Sequence, residues 1–420
     1  MNLNNRGNVL REDWEPFFKD LNQWIDNIPD YQQEKEIYLK DYINGCNVVG
    51  ISCTENSKTL IENGFDNFDV LIIDEVSKAT PPELLLPMLR ARKIILVGDH
   101  RQLPPLFNEH EKSYYDLVDG QEFDDSTLVE LKREDFEKYK DLVTASLFER
   151  YFESADDSIK ETLTYQYRMH SDIMQIINVF YDNSLIDGNN SLKNPIKEHG
   201  LTISSINNTP LITPNNHAYW IDSSSFAGHN VYESRRDGST SAENKLEAEI
   251  IVEMLGKMEE EYLNKNIKNR VQVGVISFYY DQVVLIRKLL KNRTFYTMNI
   301  DINTVDRFQG KEKSIIFVSL VRNVKNHMHS TNSHIAAFQR INVAFSRAKE
   351  LLVIVGSKDM YAEQPVLISN MNTGEEREVM VYKQILEMLN SRGALFYSDD
   401  VLPKTYVDNI FNLRGESNDI

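Results

Sequence analysis

The feature of this sequence that most constrains its fold is the alternation of short, apolar, β-rich runs with longer amphipathic stretches. This alternation is typical of βα units, whose strands lie parallel and whose helices cover the sheet. The runs predicted to be strands are Asn47–Thr54, Val70–Val76, Lys93–Gly98, Ala218–Asp222, Val271–Phe278, Ile315–Leu320 and Leu351–Gly356. The sequence therefore predicts an α/β protein with parallel sheets flanked by helices.

Composition excludes several other classes of protein. With 41% hydrophobic and 26% charged residues, the chain is neither disordered, collagen-like nor a disulfide scaffold. A formal charge of -18 argues against coating of nucleic acid by bulk charge, so any such contact must be local. Two cysteines fit a reducing compartment, and no apolar run approaches the ~20 residues of a membrane span. We expect a soluble, cytoplasmic protein without membrane contact.

The 420 residues allow two to three domains, at about 150 residues each. Apolar residues at helical spacing predict a helical segment over residues 1–46. Residues 109–140 are rich in charge and read as an exposed excursion, and residues 189–216 read as a long loop. One more amphipathic helix is predicted over Glu375–Ser391, in a tail that begins at residue 361.

Two acidic residues, Asp74 and Glu75, end the predicted strand at Val70–Ile73. Ligands bind at the carboxyl ends of parallel strands, and Mg²⁺ prefers oxygen ligands while keeping several waters. Asp74 is therefore a candidate to hold Mg²⁺ through water. Glu75 could orient or deprotonate a water for attack on a phosphate.

Polar groups follow the next predicted strand at the same sheet edge. Thr80-Pro81-Pro82-Glu83 predicts the start of a helix, since it combines a capping residue, an early proline and a glutamate three positions after the cap. The strand at 94–98 then leads into Asp99-His100-Arg101-Gln102-Leu103-Pro104-Pro105. Gln102 on this loop could sense a γ-phosphate by hydrogen bonding.

These two segments, Asp-Glu-Val-Ser-Lys-Ala-Thr and Gly-Asp-His-Arg-Gln-Leu-Pro-Pro, resemble motifs II and III of superfamily 1 helicases. The resemblance is to the branch that includes the nonsense-mediated-decay helicase and its bacterial relatives. It implies P-loop NTPase (RecA-like) domains that bind ATP and Mg²⁺.

The second half of the chain continues the resemblance. Arg168, in Thr-Tyr-Gln-Tyr-Arg-Met-His, matches an arginine finger of the family. Tyr279, with Gln282 just beyond, resembles the segment that stacks on the nucleotide base, although an aromatic residue at a strand end is often simply core. Asn244 and Glu247 fall where the family places a glutamate near the ribose, and a helix-surface charge is an almost equal reading.

Motifs V and VI complete the series. The segment that starts at Thr304 and contains Gln309, Gly310 and Glu312 resembles motif V, which links the nucleotide site to the nucleic-acid channel. Arg347, in Arg-Ile-Asn-Val-Ala-Phe-Ser-Arg-Ala-Lys, matches the second arginine finger. Within this resemblance we expect Thr54, Thr304 and Gln309 to contact nucleic acid, and Gly310 and Glu312 to contribute to nucleotide binding.

The resemblance implies the rear part of a first RecA-like domain over residues 47–158 and a complete second one over residues 159–360. The arginines of the second would stabilise the transferring phosphoryl group of ATP when the cleft between the domains closes. Cleft movement would step the protein along single-stranded DNA or RNA, with the family polarity 5′-to-3′.

The family's phosphate-binding loop, Gly-x-x-x-x-Gly-Lys-Ser/Thr, does not occur in this sequence. We therefore expect a truncated first domain, one piece of a split helicase whose loop lies on an upstream polypeptide, or a degenerate form. On any of these readings the isolated chain should hydrolyse ATP negligibly. The alternative function is a non-catalytic module that binds nucleic acid or protein.

A metal site is a further alternative. His327, His329 and His334 have a spacing that permits metal binding. They lie between motifs V and VI with no acidic or cysteine partner nearby, so a plain loop is the favoured interpretation.

Overall fold

The computed structural model describes residues 15–16, 18–23, 45–53, 67–104, 147–188, 198–236, 238–325, 334–370 and 375–411. The chain divides into two compact units, one of residues 1–74 and 79–97 and one of residues 75–78 and 98–420. Residues 15–16 and 18–23 are helical, as predicted. Thr54, His327, His329 and the excursion at 109–140 lie outside the described residues.

The first unit contains two parallel strands, β1 (Phe68–Ile73) and β2 (Ala91–Leu96), joined through helix α1 (Pro81–Met88). The helix starts where the sequence predicts, because the Glu83 carboxylate accepts bonds from the backbone and hydroxyl of Thr80 at 2.8 and 2.9 Å. The strand prediction at 47–54 is wrong for its described residues 47–53, which are irregular. A strand needs a neighbour for its backbone groups, and β1 and β2 pair with each other.

The expectation that β1 is buried is also wrong. Val70 is 47% exposed and Ile72 63% exposed. An apolar run fixes the tendency to form a strand, whereas burial requires covering elements on both faces of the sheet.

The second unit is built on a six-stranded sheet in which every neighbouring pair is parallel, in the order β11-β10-β12-β13-β7-β16. Its strands are β7 (Ala218–Asp222), β10 (Val271–Ser277), β11 (Met298–Thr304), β12 (Lys313–Ser319), β13 (Ala348–Gly356) and β16 (Leu395–Tyr397). Four of them match predicted strands closely. Leucine, isoleucine and valine side chains along β12 and β13 are fully buried and form the centre of the core.

Helices and short turns flank this sheet. The helices are α2 (Leu147–Ser154), α3 (Ser171–Ile177), α4 (Lys245–Asn264), α5 (Tyr280–Leu290), α6 (Val305–Phe308), α7 (Phe338–Phe345), α8 (Lys358–Tyr361), α9 (Val381–Ser391), α10 (Ser398–Val401) and α11 (Val407–Phe411). Four 3-10 turns lie at Val76–Lys78, Asn178–Tyr181, His334–Ala336 and Lys404–Tyr406. Helix α4 packs on β12 and β13, α3 on β13, and α9 on β7.

Short two-stranded pairs decorate the second unit. They are β3 (Tyr165–Gln166) with β4 (Ile186–Asp187), β5 (Ile203–Ser204) with β6 (Pro210–Ile212), β8 (Ser225–Phe226) with β9 (His229–Asn230), and β14 (Val366–Ser369) with β15 (Glu376–Val379). Two predictions need correction as a result. The predicted loop at 189–216 contains β5 and β6, and the predicted helix at 375–391 begins only at Val381, because residues 376–379 pair with β14 instead.

Among the described helices, none combines the length and the apolarity that crossing a bilayer requires.

Candidate functional site

The loop after β2 holds Gln102 in a fixed orientation. Asp99 shapes this loop, since its Oδ1 accepts the backbone N–H of Arg101 at 2.9 Å and its Oδ2 accepts Nε2 of Gln102 at 2.9 Å. A carboxylate only accepts, so the Gln102 nitrogen must face Asp99 and the Gln102 oxygen must face away. Gly98 opens the loop because a Cβ there would lie 2.8 Å from Val76 Cγ1.

That oxygen faces Arg347. Arg347 follows α7, is 2% exposed, and donates from Nη2 to Gln102 Oε1 at 3.2 Å. Its Nε donates to the carbonyl of Val343 at 3.1 Å, which ties the guanidinium to the last turn of the helix. Burial, followed by the nearby charge of Arg168, lowers the pKa of Arg347 to about 10, so the group stays charged at neutral pH.

Arg168 lies in an ionic cluster with Glu312 and Lys349. Its Nε is 2.9 Å from Glu312 Oε2, and Lys349 contacts the other oxygen of the same carboxylate. Burial acts to raise the pKa of Glu312, but the two cations outweigh it and the net pKa is lowered. Gln166 braces the loop, since its Oε1 accepts the backbone N–H groups of Arg168 at 3.1 Å and Met169 at 3.0 Å.

Glu75 belongs to the same compact unit as these groups. Its side chain is exposed and its φ of 55° lies in the left-handed region, which is rare outside glycine and costs about 1–3 kcal/mol. Glu75 is among the charges that act on Arg347, where it raises the pKa against the larger effect of burial. Asp74 directly precedes it and is also exposed, so its carboxylate oxygens fit water-mediated contact with a divalent cation.

The predicted motif V surrounds the short helix α6. Thr304 stands at its N-cap, and Gly310 follows it with φ of 75°, a conformation that suits glycine. Arg340 of α7 binds Asp306 at 2.8 Å, which links motif V to motif VI. The Gln309 amide nitrogen is buried and has no hydrogen-bond partner in the part of the chain that the structure describes.

Glu247 and Gln282 need correction. Both are fully buried, so neither presents a polar group to a ligand in this structure. Glu247 accepts Ser319 Oγ at 2.6 Å and the Val321 N–H at 2.8 Å on one oxygen, and Ser223 Oγ at 3.1 Å on the other. The ribose contact predicted for Glu247 is therefore replaced by a structural role at the ends of β7 and β12.

Gln282 and Asn244 form the neighbouring part of this buried network. The Gln282 amide accepts the Asn244 N–H at 2.8 Å and donates to the Asn244 carbonyl and to Ser319 Oγ, both at 3.0 Å. Asn244 caps α4 by accepting the N–H of Glu247 at 3.2 Å. Val321 has φ of 71°, which is rare for a β-branched residue, and the network holds both its N–H and its carbonyl.

Two tyrosines compete as the base-stacking residue. Tyr279, the predicted one, is half-buried against the core, and its hydroxyl accepts Arg322 Nη1 at 3.4 Å. Tyr167 is 55% exposed and directly precedes Arg168. A Cβ at Gly188 would lie 2.3 Å from the Tyr167 ring, so glycine lets the backbone brace the ring. Tyr167 was missed by the sequence reasoning, and its position beside the arginine was the available signal.

Three histidines cluster elsewhere in the second unit. The rings of His170 and His217 stack with centroids 3.4 Å apart, and His199 lies edge-on to His217 at 4.9 Å. Within the described ranges, no group of histidine, cysteine, aspartate and glutamate has metal-binding geometry. His334 lies in the turn before α7.

The parallel sheet, with polar and charged residues at the ends of its strands and in the adjoining loops, defines an α/β protein of the RecA-like P-loop class. A family model described as an AAA domain matches residues 143–359, and a second with the same description matches residues 3–109. The first match alone spans more than half of the chain. The chain thus belongs to the superfamily 1 helicase family that its motifs predict.

The curated relatives are ATP-dependent helicases. The DNA replication ATP-dependent helicase/nuclease DNA2 of Saccharomyces cerevisiae is 30% identical over 83% of this chain and 21% of its own length. An uncharacterized ATP-dependent helicase of Methanocaldococcus jannaschii is 30% identical over 71% of this chain and 37% of its own. Helicase sen1 of Schizosaccharomyces pombe is 27% identical over 78% of this chain and 17% of its own.

The chain thus spans about a fifth to two fifths of the length of these relatives. Among solved structures, an arterivirus nonstructural protein 10 (helicase) with DNA covers 69% of this chain and 39% of its own, at 12% identity and a TM-score of 0.28. This likeness is too low to support any conclusion.

Proposed function

We propose that this chain carries the phosphoryl-sensing half of an ATP-driven motor that moves along single-stranded DNA or RNA. The observation that supports this most strongly is the bond between Arg347 and Gln102, with Glu75 in the same compact unit. Arginine and amide groups around a carboxylate match the needs of phosphoryl transfer, in which positioning and charge stabilisation supply most of the rate.

Each group has a role in this proposal. Asp74 would hold Mg²⁺ through water, and the metal, when bound, would neutralise phosphate charge. Glu75 orients and deprotonates the attacking water. Gln102 contacts the terminal phosphate through its oriented amide, and Arg168 and Arg347 stabilise the charge that develops on the transferring group.

Both arginines are occupied by protein acceptors in this structure. Arg168 pairs with Glu312 and Arg347 bonds to Gln102. We propose that phosphate oxygens replace these acceptors during turnover, so that the resting bonds keep the guanidinium groups oriented without a ligand.

Tyr167 is the residue that we propose stacks on the base, in place of Tyr279. Its ring is exposed, braced by Gly188, and adjacent in sequence to Arg168. Tyr279 is half-buried and bonded to Arg322. An exposed ring can stack on an incoming base without leaving the core.

Isolated hydrolysis should nevertheless be negligible. The sequence contains no Gly-x-x-x-x-Gly-Lys-Ser/Thr, so the backbone cradle, the lysine and the hydroxyl ligand to Mg²⁺ are missing from these residues. Removing one oxyanion-type donor costs about 3 kcal/mol of transition-state stabilisation, and losing a charge costs more. A polypeptide carrying the loop is the partner that this motor would require.

The test measures ATP hydrolysis with and without single-stranded DNA or RNA, for the chain alone and with a polypeptide that supplies the loop. We expect turnover only in the complemented reaction, abolished by Glu75→Gln and reduced by Arg347→Lys. Robust hydrolysis by the chain alone, lost in Glu75→Gln, would show that the missing loop is not required. If the complemented reaction shows no turnover that depends on Glu75, the motor proposal fails.

A second candidate is binding of a single strand without hydrolysis, which the missing loop favours. Anisotropy of a labelled single strand separates the two functions. Under this second candidate the strand binds equally well with and without the loop-bearing polypeptide, and Glu75→Gln has no effect on any activity.

A further inference from the structure

The hydroxyl of Tyr181 lies at the centre of a hydrogen-bonded ring around Gln102. Tyr181 ends the turn Asn178–Tyr181, and its hydroxyl is 2.6 Å from Asp99 Oδ2 and 2.9 Å from Asn342 Nδ2. Asp99 Oδ2 also accepts Gln102 Nε2 at 2.9 Å. Asn342 lies on α7, the helix that leads into Arg347.

The chemistry of these groups fixes the direction of every bond. Asp99 only accepts, so the Tyr181 hydroxyl donates to Asp99 and accepts from the amide of Asn342. The same amide nitrogen donates to the carbonyl of Arg101 at 2.9 Å, which ties α7 to the loop backbone. The ring therefore closes through Asn342, Tyr181, Asp99, Gln102 and Arg347.

Burial makes this ring hard to rearrange. Asn342 is fully buried, and its Oδ1 has no hydrogen-bond partner in the described part of the chain. An orphaned buried oxygen is costly, so the orientation of this amide is fixed by the two bonds that its nitrogen donates. One of those two bonds reaches the hydroxyl of Tyr181.

We propose that Tyr181 is a positioning residue that, through Asp99, holds the amide of Gln102 with its oxygen toward Arg347. This inference rests on the proposed function, since Gln102 and Arg347 are the groups expected at the terminal phosphate. Without the hydroxyl, Asp99 loses one of two donors on Oδ2 and can rotate. Gln102 can then flip and point its NH₂ group at a guanidinium, donor against donor.

The test compares Tyr181→Phe with Tyr382→Phe in the full chain. Tyr382 is a matched control, because its buried hydroxyl donates to the Ile335 carbonyl at 2.8 Å outside the ring. Nuclear magnetic resonance of selectively labelled protein follows exchange with water of the Gln102 side-chain amide protons and the Arg347 guanidinium protons. Thermal unfolding of both variants shows that each is folded.

Tyr181→Phe should speed exchange at both sites about tenfold, since one hydrogen bond of about 1 kcal/mol is lost. Tyr382→Phe should leave both rates unchanged. Asp99→Asn should reproduce the Tyr181→Phe effect, and it keeps the proposal testable if Tyr181→Phe does not fold. Equal rates in wild type, Tyr181→Phe and Asp99→Asn would overturn the proposal.

Binding of a fluorescent ATP analogue to the wild-type chain complemented with the loop-bearing polypeptide separates the two levels. If no nucleotide binds while Tyr181→Phe still loosens Gln102 and Arg347, the proposed function fails and the positioning contact stands. If nucleotide binds and the exchange rates do not change, the positioning role fails and the proposed function stands. In a hydrolysing complex, Tyr181→Phe should lower kcat and leave KM for ATP unchanged.

Discussion

Arg347 donates a hydrogen bond to Gln102 across 3.2 Å, although 245 positions separate the two residues in the chain. The bond joins the loop after β2 to the end of α7 within one compact unit. It exists because Asp99 turns the Gln102 oxygen outward and Val343 anchors the guanidinium. Two residues predicted from separate motifs thus meet in one arrangement.

Replacing Arg101 by methionine should stabilise the protein. Arg101 is 1% exposed, and its three guanidinium nitrogens have no hydrogen-bond partner among the described residues. The Phe338 ring, 5.6 Å away, is the contact that favours the charge, and burial lowers the pKa of Arg101. An apolar side chain of similar length removes the desolvation cost, so the free energy of unfolding should rise by about 1–3 kcal/mol.

Urea unfolding of Arg101→Met measures this change. Arg235→Met is the control, because Arg235 has 52% of its side chain exposed and a weak ion pair at 3.9 Å. It should stay within about 0.5 kcal/mol of wild type. A clear loss of stability in Arg101→Met would mean that the guanidinium is satisfied by another group.

Glu247 should make the protein less stable as pH rises. Burial raises its pKa from 4.5 to about 7, although hydrogen bonds from Ser319, Val321 and Ser223 act to lower it. Between these values the folded chain binds a proton that the unfolded chain releases. Its contribution is therefore full below the unfolded pKa and is lost as pH rises through about 7, by about 3 kcal/mol.

Glu247→Gln tests this contribution, because the amide resembles the protonated acid. We expect the difference in unfolding free energy between variant and wild type to move in favour of the variant from pH 4.5 to pH 8. Glu260→Gln, on the same helix, should track wild type at every pH. A pH-independent difference for Glu247→Gln would mean that Glu247 is charged in the folded protein.

His199 should have the opposite effect. Burial lowers its pKa from 6.5 to about 4, and the neighbouring His217 and His170 lower it further. Its Nδ1 accepts the N–H of Leu201 at 3.1 Å, a bond that requires the neutral ring. The stability contribution is present above pH 6.5 and is lost, by about 3 kcal/mol, as pH falls through about 4.

His199→Asn keeps an acceptor for Leu201 and cannot titrate. Its unfolding free energy should fall less between pH 7 and pH 4 than that of wild type. His229→Asn, at an exposed position, should keep the wild-type slope. Parallel curves for His199→Asn and wild type would contradict the prediction.

Gly274→Ala should destabilise the protein by about 1–3 kcal/mol through overpacking. A Cβ at this position in β10 would lie 2.5 Å from Ile316 Cδ1 and 2.8 Å from Phe308 Cζ. Phe308 belongs to α6, so the glycine sets how closely motif V approaches the sheet. Thermal unfolding measures the loss.

Gly256→Ala is the control for Gly274→Ala. Gly256 lies within α4, and a Cβ there would meet only the flexible end of Arg293, at 3.1 Å. Alanine favours helix, so this variant should be as stable as wild type or more stable by up to about 1 kcal/mol. Equal losses in both variants would rule out packing against Phe308 as the cause.

The strands of the second unit were predictable because their apolar runs are long and β-rich. Ala218–Asp222 matches exactly, and Val271–Phe278 differs from β10 by one residue. Residues 376–379 were predicted as helix but form a strand, since pairing with Val366–Ser369 satisfies their backbone. Such pairing depends on a partner several residues away, which local periodicity does not contain.

The candidate site shows the same division. Sequence motifs were enough to select Arg168, Arg347 and Gln102, because each chemistry needs a particular residue type next to a strand or helix end. They also selected Glu247 and Gln282, whose side chains prove to be buried and bonded within the protein. Residue type and spacing do not specify burial.

By itself, the sequence determined the family, the parallel α/β fold of the second unit and the order of the motifs, because these follow from local patterns of residue type. Only the tertiary structure decided which polar groups stay available. It turned the Gln102 amide toward Arg347, buried Glu247 under the strand ends and brought Tyr181 to Asp99 across 82 positions. Hydrogen-bond direction and burial depend on groups that are distant in the chain, so they are settled only when the chain has folded.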